Sequence, residues 1–175
     1  AVDDLKDACE LLIRLHPERE FSVMDCSYEL GWLALQQQDT AAAQRWFTAA
    51  AQPPAAHEAE EPSLRGLARA HLARLTGDHE AAARTFARLR DELSLETEPW
   101  WRRIPVIDAE LGYALATRDL GEIEEARAAF ARAGIDLLLL LIDHPSAVRA
   151  RRLAFIERVL TTVPDWVPDS APDSP

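Results

Sequence analysis

The chain has 175 residues, 48% of them hydrophobic and 28% charged, long and apolar enough for one compact domain with a real core. A formal net charge of −11 argues against nucleic acid and acidic membrane surfaces as partners, since phosphate binding needs clustered cations, and favours a neutral or basic protein partner. One lysine, Lys6, and no asparagine accompany many arginines, a bias that a GC-rich bacterial genome explains without Arg-specific chemistry.

In chain order, Leu5, Ala8, Cys9, Leu12 and Leu15 share one helical face that stops before His16-Pro17. Phe21 to Gln38 reads as a second helix with Met24, Tyr28, Gly31 and Leu35 along one side. Cys9 and Cys26 lie equally far from the turn between these helices, so they fall at matching heights. A disulfide is geometrically open to them in an oxidising compartment, but two buried thiols acting as small hydrophobes is the favoured reading.

Asp39-Thr40 caps a third helix through about Ala51, and residues 52–62 read as a loop. A fourth helix runs from Ser63 to Leu75, Gly77 stops it, and Asp78 caps a fifth that reaches about Leu93. Glu98-Pro99-Trp100 opens a sixth, with Pro105 either kinking it or delaying its start. Gly121 separates it from a seventh that ends near Gly134. A Leu-rich eighth segment follows to a break at His144-Pro145, and a last helix spans Ser146 to about Val163. No segment alternates as a strand, so the fold class is all-α. Residues 1–163 form one helical domain, and 164–175, rich in Pro and Asp, form a tail expected to be mobile. The apolar run at 135–142 is broken by Asp136 and too short to span a bilayer. No signal segment opens the chain, so a cytoplasmic location is expected. The start at Ala1 without Met suggests a fragment or a processed form of a larger protein.

One nine-residue pattern occurs three times, at 39–47, 78–86 and 122–130: an acid, an Ala four residues on, and a Phe four residues after that. On a helix, i and i+4 lie one above the other, so each Ala–Phe pair makes a small-then-large stripe where a neighbouring helix can approach. With their surroundings these residues resemble tetratricopeptide repeats. Gly31, Asp39, Ala43, Phe47 and Ala50 carry the first copy. Ala70, Gly77-Asp78, Ala82 and Phe86 carry the second, and Ala114, Gly121-Glu122, Ala126, Phe130 and Ala133 the third. The three Phe are 39 and 44 residues apart, against about 34 in the family. The family's early Trp and closing Pro are also missing.

The resemblance implies stacked antiparallel helical hairpins, an α-solenoid with capping helices, and a groove lined by the first helix of each pair. Projected onto this chain, the groove takes Asp25, Tyr28, Trp32 and Leu35, then Leu67, His71 and Arg74, then Leu111, Leu115 and Arg118. Trp32 beside Tyr28 is the expected anchor. The Lys/Asn/Arg clamp with which some family members hold C-terminal carboxylates is absent.

Nothing in the sequence points to catalysis, a cofactor or a metal. His71 and His79 sit on different helices, His57 stands in an acidic loop, and Asp108 and Glu110 lie on opposed helical faces. In the last helix, Arg149, Arg151, Arg152 and Arg158 accompany an apolar side of Val148, Phe155, Ile156, Val159 and Leu160. It reads as a capping helix whose arginines face water or pair with the acidic body, or else as a basic surface for an acidic partner or a membrane. Trp166 in the tail is a candidate to dock back into a groove. The function expected is a non-catalytic scaffold that grips a peptide or helix of another protein, with homo-oligomers possible. Two other readings are a regulatory or sensor module of a larger bacterial signalling protein and a small secretion or assembly chaperone.

Overall fold

The computed structural model describes residues 2–15, 20–52, 62–95 and 102–162. Eight helices follow in order: α1 (Val2–Leu15), α2 (Glu20–Gln36), α3 (Thr40–Ala50), α4 (Pro62–Leu75), α5 (His79–Ser94), α6 (Arg103–Asp119), α7 (Ile123–Asp143) and α8 (Ala147–Thr162). The described residues contain no strand, so the architecture is all-α. Each helix packs on the next, and α4 also touches α2 and α6. The break at His16-Pro17, the start at Glu98-Pro99-Trp100, the His57 loop and the tail with Trp166 lie outside the described residues.

Three chain reversals share one mechanism. The residues ahead of Asp39, Asp78 and Glu122 take positive φ: Gln38 (61°), Gly77 (93°) and Gly121 (84°). The next amide then donates back to a carbonyl five residues earlier, Asp39 to Ala34, Asp78 to Ala73 and Glu122 to Thr117, at 2.9–3.0 Å. This closes the helix that ends and aims the chain into the one that begins. Asp39 and Asp78 also cap the new helix, accepting from the amides of Ala42 and Ala81. Glu122 makes no such side-chain bond.

The recurring aromatic residues lie in the core: Phe47, Phe86 and Phe130 are buried, together with Ala43, Ala82 and Ala126 four residues before each. Phe47 rests on Gly31 of α2, where an added Cβ would come within 2.7 Å of the ring; Phe86 presses still closer on Gly112 of α6. At the N-terminal end a smaller cluster of Cys9, Leu30 and Leu33 joins α1 to α2. Cys9 and Cys26 are disulfide-bonded with their Cα atoms 5.2 Å apart, so the expectation of two free thiols is corrected. Their matched heights across the α1–α2 pair bring them within bridging range.

One of the two readings of Pro105 holds, and one helix limit, at Gly134, differs from the sequence reading. Pro105 is the third residue of α6, where a missing amide leaves no helical bond unmade, so it stands at the start rather than at a kink. Gly134 does not end the seventh helix; α7 runs unbroken from Ile123 to Asp143 and absorbs the Leu-rich segment. A side chain at Gly134 would meet Ile156 of α8 at an ordinary 3.6 Å, so tertiary packing carries the helix through a weak helix former.

Two substitutions separate these roles. Gly112→Ala should destabilise the chain by about 1–3 kcal/mol, because the Phe86 ring occupies the space its methyl needs. Gly134→Ala should stabilise it by about 0.5–1 kcal/mol, as expected inside a continuous helix. Denaturant unfolding of both variants is the check; loss of stability in Gly134→Ala would contradict an unbroken α7.

Candidate functional site

The sequence-derived groove positions divide by depth. Tyr28, Trp32, Leu67, His71, Leu111 and Leu115 are buried, with Tyr28 and Trp32 each 1% exposed, while Arg74 is nearly so. Leu35 is half-buried, Arg118 half-exposed and Asp25 exposed. Helix α8 packs on α7 and reaches across to α2 and α6 through Arg152 and Phe155. Phe155 meets the edge of Trp32 at a centroid distance of 6.2 Å.

Arg152 is the polar key to this seating. It is 2% exposed, donates to Glu29 of α2 at 2.7 Å, lies 3.4 Å from Asp108 of α6, and places its guanidinium 5.4 Å from the Trp32 ring centroid. Burial alone would lower its pKa, but Asp108 and Glu29 hold it above the ordinary arginine range, so the cation persists. Burial pushes Asp108 up to about 7 against the pull of Arg152, and the Glu29 charge adds to the rise. The 3.4 Å separation exceeds a good charge-assisted bond, which Glu29 takes instead. Of the other α8 arginines, Arg149 is buried and donates to the His144 carbonyl, while Arg158 is exposed.

His71 occupies an aromatic nest at the centre of the core. Its ring stacks on Phe47 at 4.5 Å and meets Phe86 and Trp32 edge-on at 4.8 and 4.9 Å. Neither ring nitrogen has a hydrogen-bond partner among the described residues. Burial first, then the Arg74 and Arg152 charges, hold its pKa well below the usual imidazole value, so it is neutral. On the opposite side of α6 from Asp108, Glu110 bridges α5 and α7. It accepts from Arg90 at 3.0 Å and Arg132 at 2.7 Å. The two acids singled out in α6 therefore clamp different helices.

Below α8 one cleft of about 330 Å³ stays open, lined in part by Leu35, Gln36, Thr40, Arg74, Leu115 and Arg118 and closed on one side by Phe155, Arg158 and Val159 of α8. It brings together Leu35, Arg74 and Arg118 of the expected groove and leaves out Tyr28, Trp32, His71 and Leu111. Three arginines line it. Arg74 and Arg118 share Asp119, at 2.7 and 2.9 Å. Arg158 pairs with no carboxylate among the described residues. Arg74 and Arg118 stand in the last turns of α4 and α6, where the helix dipoles favour cations. Arg158 is outside the last turn of its helix, so the dipole does not explain it. The sequence reading placed Arg158 in a helix but had no local signal for the cleft, which arises where residues of five helices meet.

No three His, Cys, Asp or Glu side chains converge as a metal-holding group among the described residues. No helix among them is long and apolar enough to cross a membrane. Compared with family models, curated proteins and solved structures, the chain matches none of them.

Between about pH 4 and pH 7 the folded chain keeps a proton on Asp108 that the unfolded chain has released, so this group's contribution to stability falls as pH rises through that window. His71 acts oppositely, since below its ordinary value of 6.5 the unfolded chain binds a proton that the folded chain refuses. Comparing Asp108→Asn with the native chain cancels the His71 contribution. The variant's relative stability should rise by roughly 2–4 kcal/mol from pH 4 to pH 8. Urea unfolding at stepped pH reads it; a difference that stays flat would refute the shift.

Proposed function

We propose that the chain is a non-catalytic, tetratricopeptide-like interaction module that holds a short acidic segment of a partner protein in the cleft beneath α8. The α2–α3, α4–α5 and α6–α7 hairpins are the stacked pairs of this reading, with α1 and α8 as end helices. It is supported by the shared turn mechanism and by the buried Ala–Phe stripes. The observation that carries the ligand choice is Arg158, a cation that pairs with no carboxylate among the described residues of a protein of net charge −11. With Arg74 and Arg118, which share Asp119, it makes three arginines that line the cleft beside the apolar side chains of Leu35, Leu75, Leu115 and Phe155.

The bulk charge does not forbid an acidic segment. Screening at physiological salt confines charge effects to about 8 Å, so the nearest groups decide at the cleft. A volume of about 330 Å³ is at the small end for ligand pockets and suits a few side chains rather than a whole helix. Gln36, Gln38 and Thr40 on the rim supply neutral hydrogen-bonding groups. The Cys9–Cys26 disulfide favours an oxidising compartment and gives no support to the cytoplasmic expectation.

Titration of labelled peptides, Asp/Glu-rich against Lys/Arg-rich of equal length, tests the reading. The acidic peptides should bind preferentially, and added salt should weaken them. Arg158→Glu should cost about tenfold or more in affinity, the scale of a charge-assisted hydrogen bond, with circular dichroism unchanged because the side chain is exposed. Equal binding of both peptide classes, or indifference to Arg158→Glu, would remove the assignment.

A further inference from the structure

Helix α7 has a second apolar face, separate from the one that packs into the core. Leu137 and Leu140 point inward and are buried, whereas Ile135, Leu138, Leu139 and Ile142 are 61%, 50%, 50% and 68% exposed. With 3.6 residues per turn, these four and the exposed Ala128 and Ala131 fall within about 100° of arc, a continuous stripe. Ala128, Ala131, Ile135, Leu138 and Ile142 follow the alternating three- and four-residue steps of a coiled-coil seam. Scattered exposed aliphatics need no explanation, but four large ones aligned on one helix mark a contact surface.

We propose that this stripe is the dimer seam of the protein, pairing α7 antiparallel with α7 of a second copy about a two-fold axis at Ile135. The size gradient along the stripe carries the orientation. Its N-terminal end is small (Ala128, Ala131) and its C-terminal end large (Leu138, Leu139, Ile142). Antiparallel pairing sets Ala128 of one copy against Ile142 of the other, and Ala131 against Leu139, so at both ends of the seam a large side chain meets a small one, while Ile135 meets its own copy at the axis. The helices then approach within the usual range of helix packing, about 8–10 Å. Parallel pairing would set large on large at one end and leave a gap at the other. An isologous contact requires such a self-complementary surface.

The flanking charges agree. On one edge of the stripe Arg132, already bonded to Glu110 and Glu125 of its own chain, precedes the axis by three residues and Asp136 follows it by one, so reversal of the second helix brings the Arg132 edge of each copy beside Asp136 of the other without setting like charges together. A lipid surface suits the stripe less, since helices that lie on membranes are rich in Lys and Arg along their polar edges. Here Asp136 and Asp143 border the large end, in a chain already at −11.

The seam is about 21 Å long at 1.5 Å per residue and about 10 Å wide. That is short of the roughly 800 Å² per partner of a standard stable interface. The dimer is therefore reversible and concentration-dependent.

Sedimentation of the full chain from nanomolar to near-millimolar concentration tests this, and the mean mass should climb towards twice the monomer. Ile135→Glu places two carboxylates at the axis and should raise the dissociation constant about a hundredfold or more, with the melting curve at low concentration unchanged because the position is exposed. Single-cysteine variants read the orientation: Ile135→Cys should cross-link with itself, Ala128→Cys with Ile142→Cys, and Ile142→Cys not with itself. Four results would overturn the proposal: a constant monomer mass, an Ile135→Glu dimer of native affinity, self-cross-linking at Ile142→Cys, or a monomer that floats with phosphatidylcholine/phosphatidylglycerol vesicles through this stripe.

Discussion

The close approach of a phenylalanine ring to a residue without a side chain sets the spacing of this bundle. Phe47 lies on Gly31 within the first hairpin, and Phe86 lies on Gly112 across the junction to the next. Interiors are packed to crystal density, so a methyl group at either position has nowhere to go. The helices therefore stand at one distance, and the His71 nest and the α6 carboxylates inherit their positions from it. His71 shows how tightly: its ring fits among Trp32, Phe47 and Phe86 although neither nitrogen finds a partner. Aromatic contact on several sides offsets the cost of its dehydrated nitrogens, and the ring remains neutral.

Charge then fixes what shape alone leaves loose. A buried ion pair is weak evidence of stability, because dehydration consumes most of the Coulomb attraction. Its value is selective, since a misplaced charge inside a core is heavily penalised. Arg152 has one seat where Glu29 and Asp108 both answer it, and that seat determines the register of α8. Glu110 performs the matching task for α5 and α7 through Arg90 and Arg132. Two residues apart on α6, the two acids point to opposite sides and lock neighbours that never share a charge.

What was legible in the sequence was local. The Ala–Phe spacing, the acids after Gly77 and Gly121, and the caps at Asp39 and Asp78 are set within a few residues, and each has its expected environment. The first reversal was legible from the Asp39 cap alone, because the positive φ there falls on Gln38, a residue that carries no such signal. Gly134 misled for the converse reason: a weak helix former was read as a stop, while α7 runs through it to Asp143. The projected groove identified a face of the bundle but not its depth. Nothing local to Tyr28 or Trp32 tells of a helix more than a hundred residues later that covers them. The cysteines fell at matching heights as expected, but height alone does not choose between thiols and a bond.

The seating of Arg152 on Glu29, 123 residues away in the chain, has a consequence for biosynthesis. Translation is vectorial, and the surface around Trp32 leaves the ribosome long before its lid is made. At about 5–20 residues per second that interval lasts roughly 6–25 s. Throughout it, the nascent polypeptide displays an open aromatic hollow, which α8 closes only once Arg152 has been made.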